Sequence, residues 1–167
     1  MGPKIKVYTD GSYNVRESNI VFGGYVVLIS TDSGDKPLWG RRVYTTNPAW
    51  TSMNNVGGEL IGAITSFTEA FRTANEYGIT QIDVYHDYEG VAHWITGRWA
   101  ARKPATGLYV ELVSALKKQY PNIHLVFHHV KGHSGNEYNE IADMIAGGDA
   151  YNYQFEILKT VGLMGDE

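Results

Sequence analysis

The sequence predicts an α/β domain in which helices flank both faces of a mixed five-stranded sheet. Two observations point to it. Three β-rich stretches come first, at residues 5–9, 20–30 and 38–46, which is typical of an antiparallel meander. Beyond residue 60, helical spacing alternates with two short β-branched stretches, which favours parallel strands joined by helices.

The predicted strands are bounded by turn residues. The first ends at Asp10, which Gly11 and Ser12 follow, and residues 31–35 form a turn between the second and third. The fourth and fifth strands are predicted at residues 79–86 and 123–130, where β-branched residues are frequent.

The helices follow from apolar spacing and from their stop signals. A long helix is predicted from Leu60 to Ala74, and Gly78 ends it. Further helices are predicted at residues 88–99, 110–120 and 137–146, with a break at Arg102-Lys103-Pro104. Residues 1–148 are expected to form one domain. Residues 149–167 are expected to be an extension, either a loosely attached helix or a mobile tail.

Composition narrows the class of protein. A chain of 167 residues with 43% hydrophobic residues suits one soluble domain. The absence of cysteine excludes disulfides, thiol catalysis and cysteine-bound zinc. The longest apolar stretch, residues 21–29, is too short to span a bilayer, and no secretory signal is present. We therefore expect a cytoplasmic protein with no membrane contact, and a monomer.

Four acidic residues lie where α/β sheets place functional groups. Asp10 and Asp87 follow strands, Glu59 lies near a helix start and Asp143 lies in the last helix. Clustered carboxylates repel one another, and hard cations such as Mg²⁺ offset that repulsion. Two ions can bind the attacking and leaving oxygens of a phosphodiester. Taken singly, each acid also has a structural explanation, as a turn residue or as a partner of the helix dipole.

The residues around these acids form four motifs in order. They are Tyr8-Thr9-Asp10-Gly11-Ser12-Tyr13, then Asn54-Asn55-Val56-Gly57-Gly58-Glu59, then Tyr85-His86-Asp87-Tyr88-Glu89-Gly90, then Val130-Lys131-Gly132-His133-Ser134-Gly135 leading to Asp143. Over residues 4–147 the chain resembles type I ribonuclease H. It is most similar to a bacterial and phage branch with Asp-Tyr-Glu-Gly in the third motif. Many members of that branch have a hybrid-binding module ahead of the nuclease domain, and we expect only the nuclease domain here.

The resemblance implies a ribonuclease H-like fold and specific roles. Asp10, Glu59, Asp87 and Asp143 would be catalytic ligands of two Mg²⁺ ions, with Mn²⁺ as a substitute. His133, on a loop, would assist proton transfer or product release, and its ordinary pKa of about 6.5 suits either task. His128 and His129 are adjacent on a predicted strand and face opposite sides. Both are interpreted as structural.

Substrate-binding residues can also be proposed. Gly11, Ser12, Asn54 and Asn55 are plausible partners for RNA 2′-hydroxyls. Glu89 stands where other members often have a substrate-contacting Gln. The net charge of −4 argues mildly against nucleic-acid binding. A basic cluster with an aromatic residue offsets that objection, and its members are Arg98, Trp99, Arg102 and Lys103. Its role is contact with the DNA backbone or simply a solvated helix end.

The implied activity is endonucleolytic hydrolysis of the RNA strand of RNA–DNA hybrids, leaving 5′-phosphate and 3′-hydroxyl ends. Two alternatives remain at this point. One is another nuclease on the same fold that acts on DNA or on branched junctions. The other is a non-catalytic hybrid-binding or partner-binding module, against which the complete set of four acids argues.

Overall fold

The computed structural model describes residues 2–14, 17–131 and 136–148. It confirms the predicted mixed five-stranded sheet, whose strand order is β3-β2-β1-β4-β5. The strands are β1 (Lys4–Asn14), β2 (Glu17–Thr31), β3 (Gly34–Thr45), β4 (Gln81–His86) and β5 (His124–His129). The pairs β1–β2 and β2–β3 are antiparallel, whereas β1–β4 and β4–β5 are parallel. β1 therefore lies at the centre, with the meander on one side and the parallel strands on the other.

Five helices lie among the described residues. They are α1 (Pro48–Thr51), α2 (Asn55–Tyr77), α3 (Gly90–Thr96), α4 (Pro104–Gln119) and α5 (Glu137–Gly147). α1 was not predicted, because four residues are too few to show helical periodicity. Its cues are local, since Asn47 accepts a 2.9 Å hydrogen bond from the backbone N–H of Ala49 and Pro48 occupies the first turn.

The two faces of the sheet carry separate cores. Alternating side chains of a strand point to opposite faces. Ile5 and Val7 of β1 pack with α2 and α4 in the larger core, to which Phe67 of α2 and Tyr109 of α4 belong. Tyr8 points the other way. It packs with side chains of β2 and α5 in the smaller core, which are Val26, Leu28, Ile141, Ala142 and Ile145. Helices on both faces were predicted, and this is confirmed.

Several predicted boundaries are wrong. β1 does not end at Asp10 but continues to Asn14, because residues 11–13 pair with residues 21–23 of β2. α2 begins at Asn55, so Glu59 lies in its second turn rather than at its start. The helix predicted at residues 88–99 covers only Gly90–Thr96, because Gly97 adopts a left-handed φ of 80° that ends it.

Pro104 also has a different role from the one predicted. It opens α4, where its missing N–H costs nothing, and the preceding helix α3 has already ended at Gly97. No helix in the described ranges is long and apolar enough to cross a membrane.

Candidate active site

Asp10 and Asp87 are neighbours because their strands are parallel neighbours. Thr9 of β1 is in register with His86 of β4. Asp10 and Asp87, the next residues along the chain, therefore lie at the same end of the two strands. Asp87 directly follows β4, and Asp10 lies within β1 where the pairing with β4 has ended. Open α/β sheets bind ligands at this edge, beside the carboxyl ends of the parallel strands.

Glu59 joins this pair because α2 lies unusually close to β1 and β2. A Cβ added to Gly11 would lie 2.2 Å from the backbone nitrogen of Glu59. A Cβ added to Gly58 would lie 2.3 Å from the backbone oxygen of Phe22 and 2.8 Å from that of Ser12. Only glycine permits such a close approach of helix and strand backbones. The glycines next to Asp10 and Glu59 therefore bring the two carboxylates together.

Asp143 reaches the site from the other face of the sheet. α5 is docked closely on β2, since a Cβ on Gly24 would lie 2.4 Å from the backbone nitrogen of Ala146. Arg42 of β3 fixes the same turn, because its Nε donates a 3.1 Å hydrogen bond to the backbone oxygen of Ala146. Asp143 lies one turn earlier on α5, half-buried, and its carboxyl group hydrogen-bonds to that of Asp10.

The predicted acids therefore meet at one point. One carboxylate oxygen from each of Asp10, Glu59 and Asp87 lies within 4.8 Å of the other two. Asp143 contributes through its hydrogen bond to Asp10 and its charge near Asp87. The side chains of Asp10 and Glu59 are buried, with 5% and 6% of their surface exposed. Two of these acidic groups are therefore shielded from water, and Asp87 and Asp143 are half-buried beside them.

Burial and mutual repulsion shift the titration of this cluster. Burial raises the pKa of Asp10 to about 7, and the nearby charge of Asp87 adds to the effect. The pKa of Glu59 is raised well above its ordinary value, first by burial and then by the charges of Asp10 and Asp87. Burial also raises the pKa of Asp87, with a contribution from the charge of Asp143. Without a cation, the cluster therefore retains protons near neutral pH.

The donor set fits a hard divalent cation. Oxygen Oε2 of Glu59 and oxygen Oδ1 of Asp87 are buried and have no hydrogen-bond partner within the described part of the chain. A buried acceptor without a partner is costly, so these oxygens favour a bound ligand. Carboxylate oxygens are the donors that Mg²⁺ and Mn²⁺ prefer. The residues could hold such an ion without any further ligand type.

A mixed sheet with this strand order, with carboxylates clustered on β1, on α2 and just after β4, defines the ribonuclease H-like class of α/β proteins. The model of the RNase H family matches residues 2–151. The chain belongs to the ribonuclease H family of enzymes.

Individual relatives agree with this assignment. The chain is 30% identical over 158 residues to a ribonuclease H of Marinobacter nauticus, covering 87% of this chain and 93% of the relative. It is 28% identical over 173 residues to a ribonuclease H of Chromohalobacter salexigens, covering 99% and 94% of the two chains. The crystal structure of LC11-RNase H1 in complex with an RNA/DNA hybrid shares the fold. Its TM-score is 0.62 at 19% identity, covering 87% of this chain and 98% of that chain.

The predicted substrate-binding residues around α2 lie beside the carboxylates. Gly11 and Ser12 are half-buried on β1, and Asn54 and Asn55 are exposed where α2 begins. Asn54 has φ 55° and ψ −131°, and it is the only residue other than glycine with a positive φ among those described. Strained backbone of this kind clusters at functional sites. Gly11 and Ser12 follow Asp10 along β1, and Asn54 and Asn55 lie about one turn before Glu59 at the start of α2.

The remaining predicted residues lie around α3 and the start of α4. Glu89 is exposed at the start of α3. Arg102 and Lys103 are exposed just before α4. Trp99 is half-buried, because its ring packs 5.3 Å from that of Trp94 and 5.0 Å from that of His93. The predicted His133 lies outside the described residues, as does the extension at residues 149–167.

Two histidines lie next to Asp87, and of these His86 was not singled out from the sequence. The ring of His129 donates a 2.8 Å hydrogen bond from Nε2 to the backbone oxygen of Asp87. His86 is buried, and burial lowers its pKa to about 4. The position of His86 directly before Asp87 was the available signal. His128 stacks on Tyr85, with ring centroids 4.8 Å apart, so the two adjacent histidines have different surroundings, as their alternation predicted.

Proposed function

We propose that this chain hydrolyses the RNA strand of RNA–DNA hybrids at two Mg²⁺ ions, leaving 5′-phosphate and 3′-hydroxyl ends. The observation that carries the proposal is the convergence of Asp10, Glu59 and Asp87 within 4.8 Å, with two buried oxygens lacking partners. A cluster of this kind would repel a phosphodiester unless cations neutralised it. Membership of the ribonuclease H family and the likeness to a hybrid-bound structure support the choice of substrate.

The residues divide the work as follows. Asp10, Glu59, Asp87 and Asp143 would hold the ions, with Mn²⁺ as a substitute. Bound Mg²⁺ supplies charge neutralisation and lowers the pKa of coordinated water. Burial of Asp10 and Glu59 keeps bulk water away, which strengthens every electrostatic interaction in the site. His133 is proposed to transfer a proton or to assist product release.

We assign the choice of the RNA strand to four residues near Asp10 and Glu59, which are Gly11, Ser12, Asn54 and Asn55. The amide of Asn54 offers both a donor and an acceptor, which matches a 2′-hydroxyl that both donates and accepts. Asn54 is exposed, has a positive φ and directly precedes α2, the helix that carries Glu59. Contacts of this kind recognise the sugar and not the base, so we expect little base specificity.

Basic residues are assigned to the other strand. The exposed Arg98, Arg102 and Lys103 lie between the end of α3 and the start of α4. Their charge attracts phosphates although the whole chain is acidic. We propose that they contact the DNA backbone.

The test compares four labelled substrates of one sequence in Mg²⁺: an RNA–DNA hybrid, duplex DNA, duplex RNA and a branched DNA junction. Cleavage confined to the RNA strand of the hybrid, with 5′-phosphate ends, is the expected result. Equal or faster cleavage of duplex or branched DNA would assign the site to a different nuclease of this fold. Binding of the hybrid without cleavage of any substrate would make the chain a binding module.

A further inference from the structure

A second cluster of ligand atoms lies in a cavity between α3 and β5. The cavity has a volume of about 480 Å³, and the residues that line it include His86, Glu89, His93, Arg98 and His129. Three of the six histidines of the chain therefore meet in one place. The carboxylate site takes none of its proposed ligands from these histidines, so the cavity could serve a different ligand.

His86, which lines this cavity, has a ring nitrogen without a partner among the residues that the structure describes. Its side chain is 2% exposed, and its Nδ1 lies 2.9 Å from the backbone oxygen of Tyr88. A carbonyl oxygen can only accept, so Nδ1 carries the hydrogen and Nε2 carries the lone pair. Nε2 is buried and has no hydrogen-bond partner among the residues that the structure describes. A buried acceptor that stays unpaired is destabilising, which favours a ligand there.

His129, on the neighbouring strand, is also held by a hydrogen bond to a backbone oxygen. Its Nε2 donates to the backbone oxygen of Asp87, so Nδ1 is the free ring nitrogen. The rings of His86 and His129 have centroids 5.8 Å apart at an interplanar angle of 60°. Two imidazoles on one ion, with metal–nitrogen distances of about 2.0–2.1 Å, have ring centres roughly 5–6 Å apart. A carbonyl on the second ring nitrogen is also the usual way in which ligating histidines are held.

We propose that His86 and His129 form a binding site for a borderline transition-metal ion such as Zn²⁺, separate from the carboxylate cluster. Imidazole nitrogens favour Zn²⁺, Ni²⁺ and Cu²⁺, whereas Mg²⁺ favours oxygen. The two sites therefore differ in the metal they select.

Coordination at this site is completed by water or by a partly exposed neighbour. Glu89 Oε2 and His93 Nε2 line the same cavity and lie 3.9 Å apart. In the described ranges, the only three such ligand atoms already within 4.8 Å of one another are those of Asp10, Glu59 and Asp87. A third ligand from Glu89 or His93 therefore requires rotation of its side chain. The exposed Arg98 opposes a cation, and Glu89 balances that charge.

The experiment is calorimetric titration of Zn²⁺ into the full chain in excess Mg²⁺, with Co²⁺ absorption spectra as a second readout. We expect one Zn²⁺ per chain and a Co²⁺ spectrum with nitrogen ligands. His129→Asn, at an exposed position, should weaken Zn²⁺ binding at least about tenfold. His86→Asn should do the same if it folds. His124→Gln, an exposed histidine on the same strand outside the cavity, is the matched control and should change nothing.

The variant Asp10→Asn distinguishes the two sites, because it alters the carboxylate cluster and should leave Zn²⁺ binding unchanged. Zn²⁺ affinity unchanged in His129→Asn, lost in Asp10→Asn, or absent from the unmodified chain at micromolar Zn²⁺ would each overturn the proposal. These outcomes do not depend on whether the chain cleaves a hybrid.

Discussion

Gly11 and Glu59 lie in backbone contact, so close that a Cβ on Gly11 would lie 2.2 Å from the backbone nitrogen of Glu59. This contact joins the central strand to the longest helix. It also sets the distance between Asp10, the residue before Gly11, and the carboxylate of Glu59. The geometry of the site therefore depends on Gly11 having no side chain.

Gly11→Ala tests that dependence. The added methyl group meets backbone atoms, which cannot move aside as a flexible side chain could, so α2 must shift. We expect a loss of about 1–3 kcal/mol in the free energy of unfolding, together with weaker Mg²⁺ binding. Urea denaturation and Mg²⁺ titration measure the two effects. Gly107→Ala in α4 is the control, because nothing lies within 4 Å of its Cβ, and alanine there should stabilise by up to about 1 kcal/mol. Equal effects of the two substitutions would contradict the packing argument.

The metal-free protein should lose stability as pH rises. The pKa of Asp10 is raised from an ordinary value of 3.8 to about 7 in the folded state. Between these values the folded state binds more protons than the unfolded state, so its stability falls with increasing pH. We expect the melting temperature in chelator to fall from about pH 4 to about pH 7. In Asp10→Asn the fall should be smaller. Subtracting the pH dependence of Asp10→Asn from that of the unmodified chain isolates the contribution of Asp10. If that difference rises with pH, the raised pKa of Asp10 is refuted.

Added Mg²⁺ should reverse that loss, and more so at higher pH. A cation must displace the protons that the cluster holds, so its apparent affinity rises as Asp10 and its neighbours ionise. The increase in melting temperature on adding Mg²⁺ should be small at pH 5 and larger at pH 8. Glu59→Gln removes one ligand and should reduce the increase at pH 8. An increase that is the same at both pH values would argue that Mg²⁺ binds elsewhere.

Hybrid binding should depend on salt through the basic residues before α4. The triple substitution of Arg98, Arg102 and Lys103 to Gln should make the plot of log affinity against log salt concentration less steep. Its slope should decrease in magnitude by about 1 for each lost phosphate contact. Lys117→Gln with Lys118→Gln, in the exposed last turn of α4, changes charge elsewhere and serves as the control. A slope unaffected by the triple substitution would leave these residues as a solvated surface.

The carboxylate cluster was accessible to sequence reasoning because each acid has a distinctive neighbourhood. Asp10 lies within a recognisable strand and Asp87 directly follows another, and the glycines beside Asp10 and Glu59 are part of the motifs themselves. Parallel pairing of β1 and β4 then brings the strand ends together. The division into an antiparallel meander and two parallel strands followed from the change of pattern along the chain, whereas the spatial order of the strands is seen only in the structure.

Other features could not be predicted, because they depend on contacts between distant segments. The extension of β1 beyond Asp10 is decided by its pairing with β2, which no local pattern reveals. The orientation of His129 depends on the backbone oxygen of Asp87, 42 residues away in the chain. His86 received no role from the sequence, because its surroundings are formed by residues distant in the chain. Its unpartnered ring nitrogen is visible only in three dimensions.

The most direct test of the central claim is cleavage of a labelled RNA–DNA hybrid in Mg²⁺ by the unmodified chain, by Asp10→Asn and by Asp32→Asn, which alters an exposed turn. Circular dichroism and thermal melts would confirm that all three are folded. The account predicts RNA cleavage by the unmodified chain and by Asp32→Asn, its loss in chelator, and a rate at least about a hundredfold lower in Asp10→Asn. Cleavage that survives in chelator, or that Asp10→Asn retains in full, would contradict it.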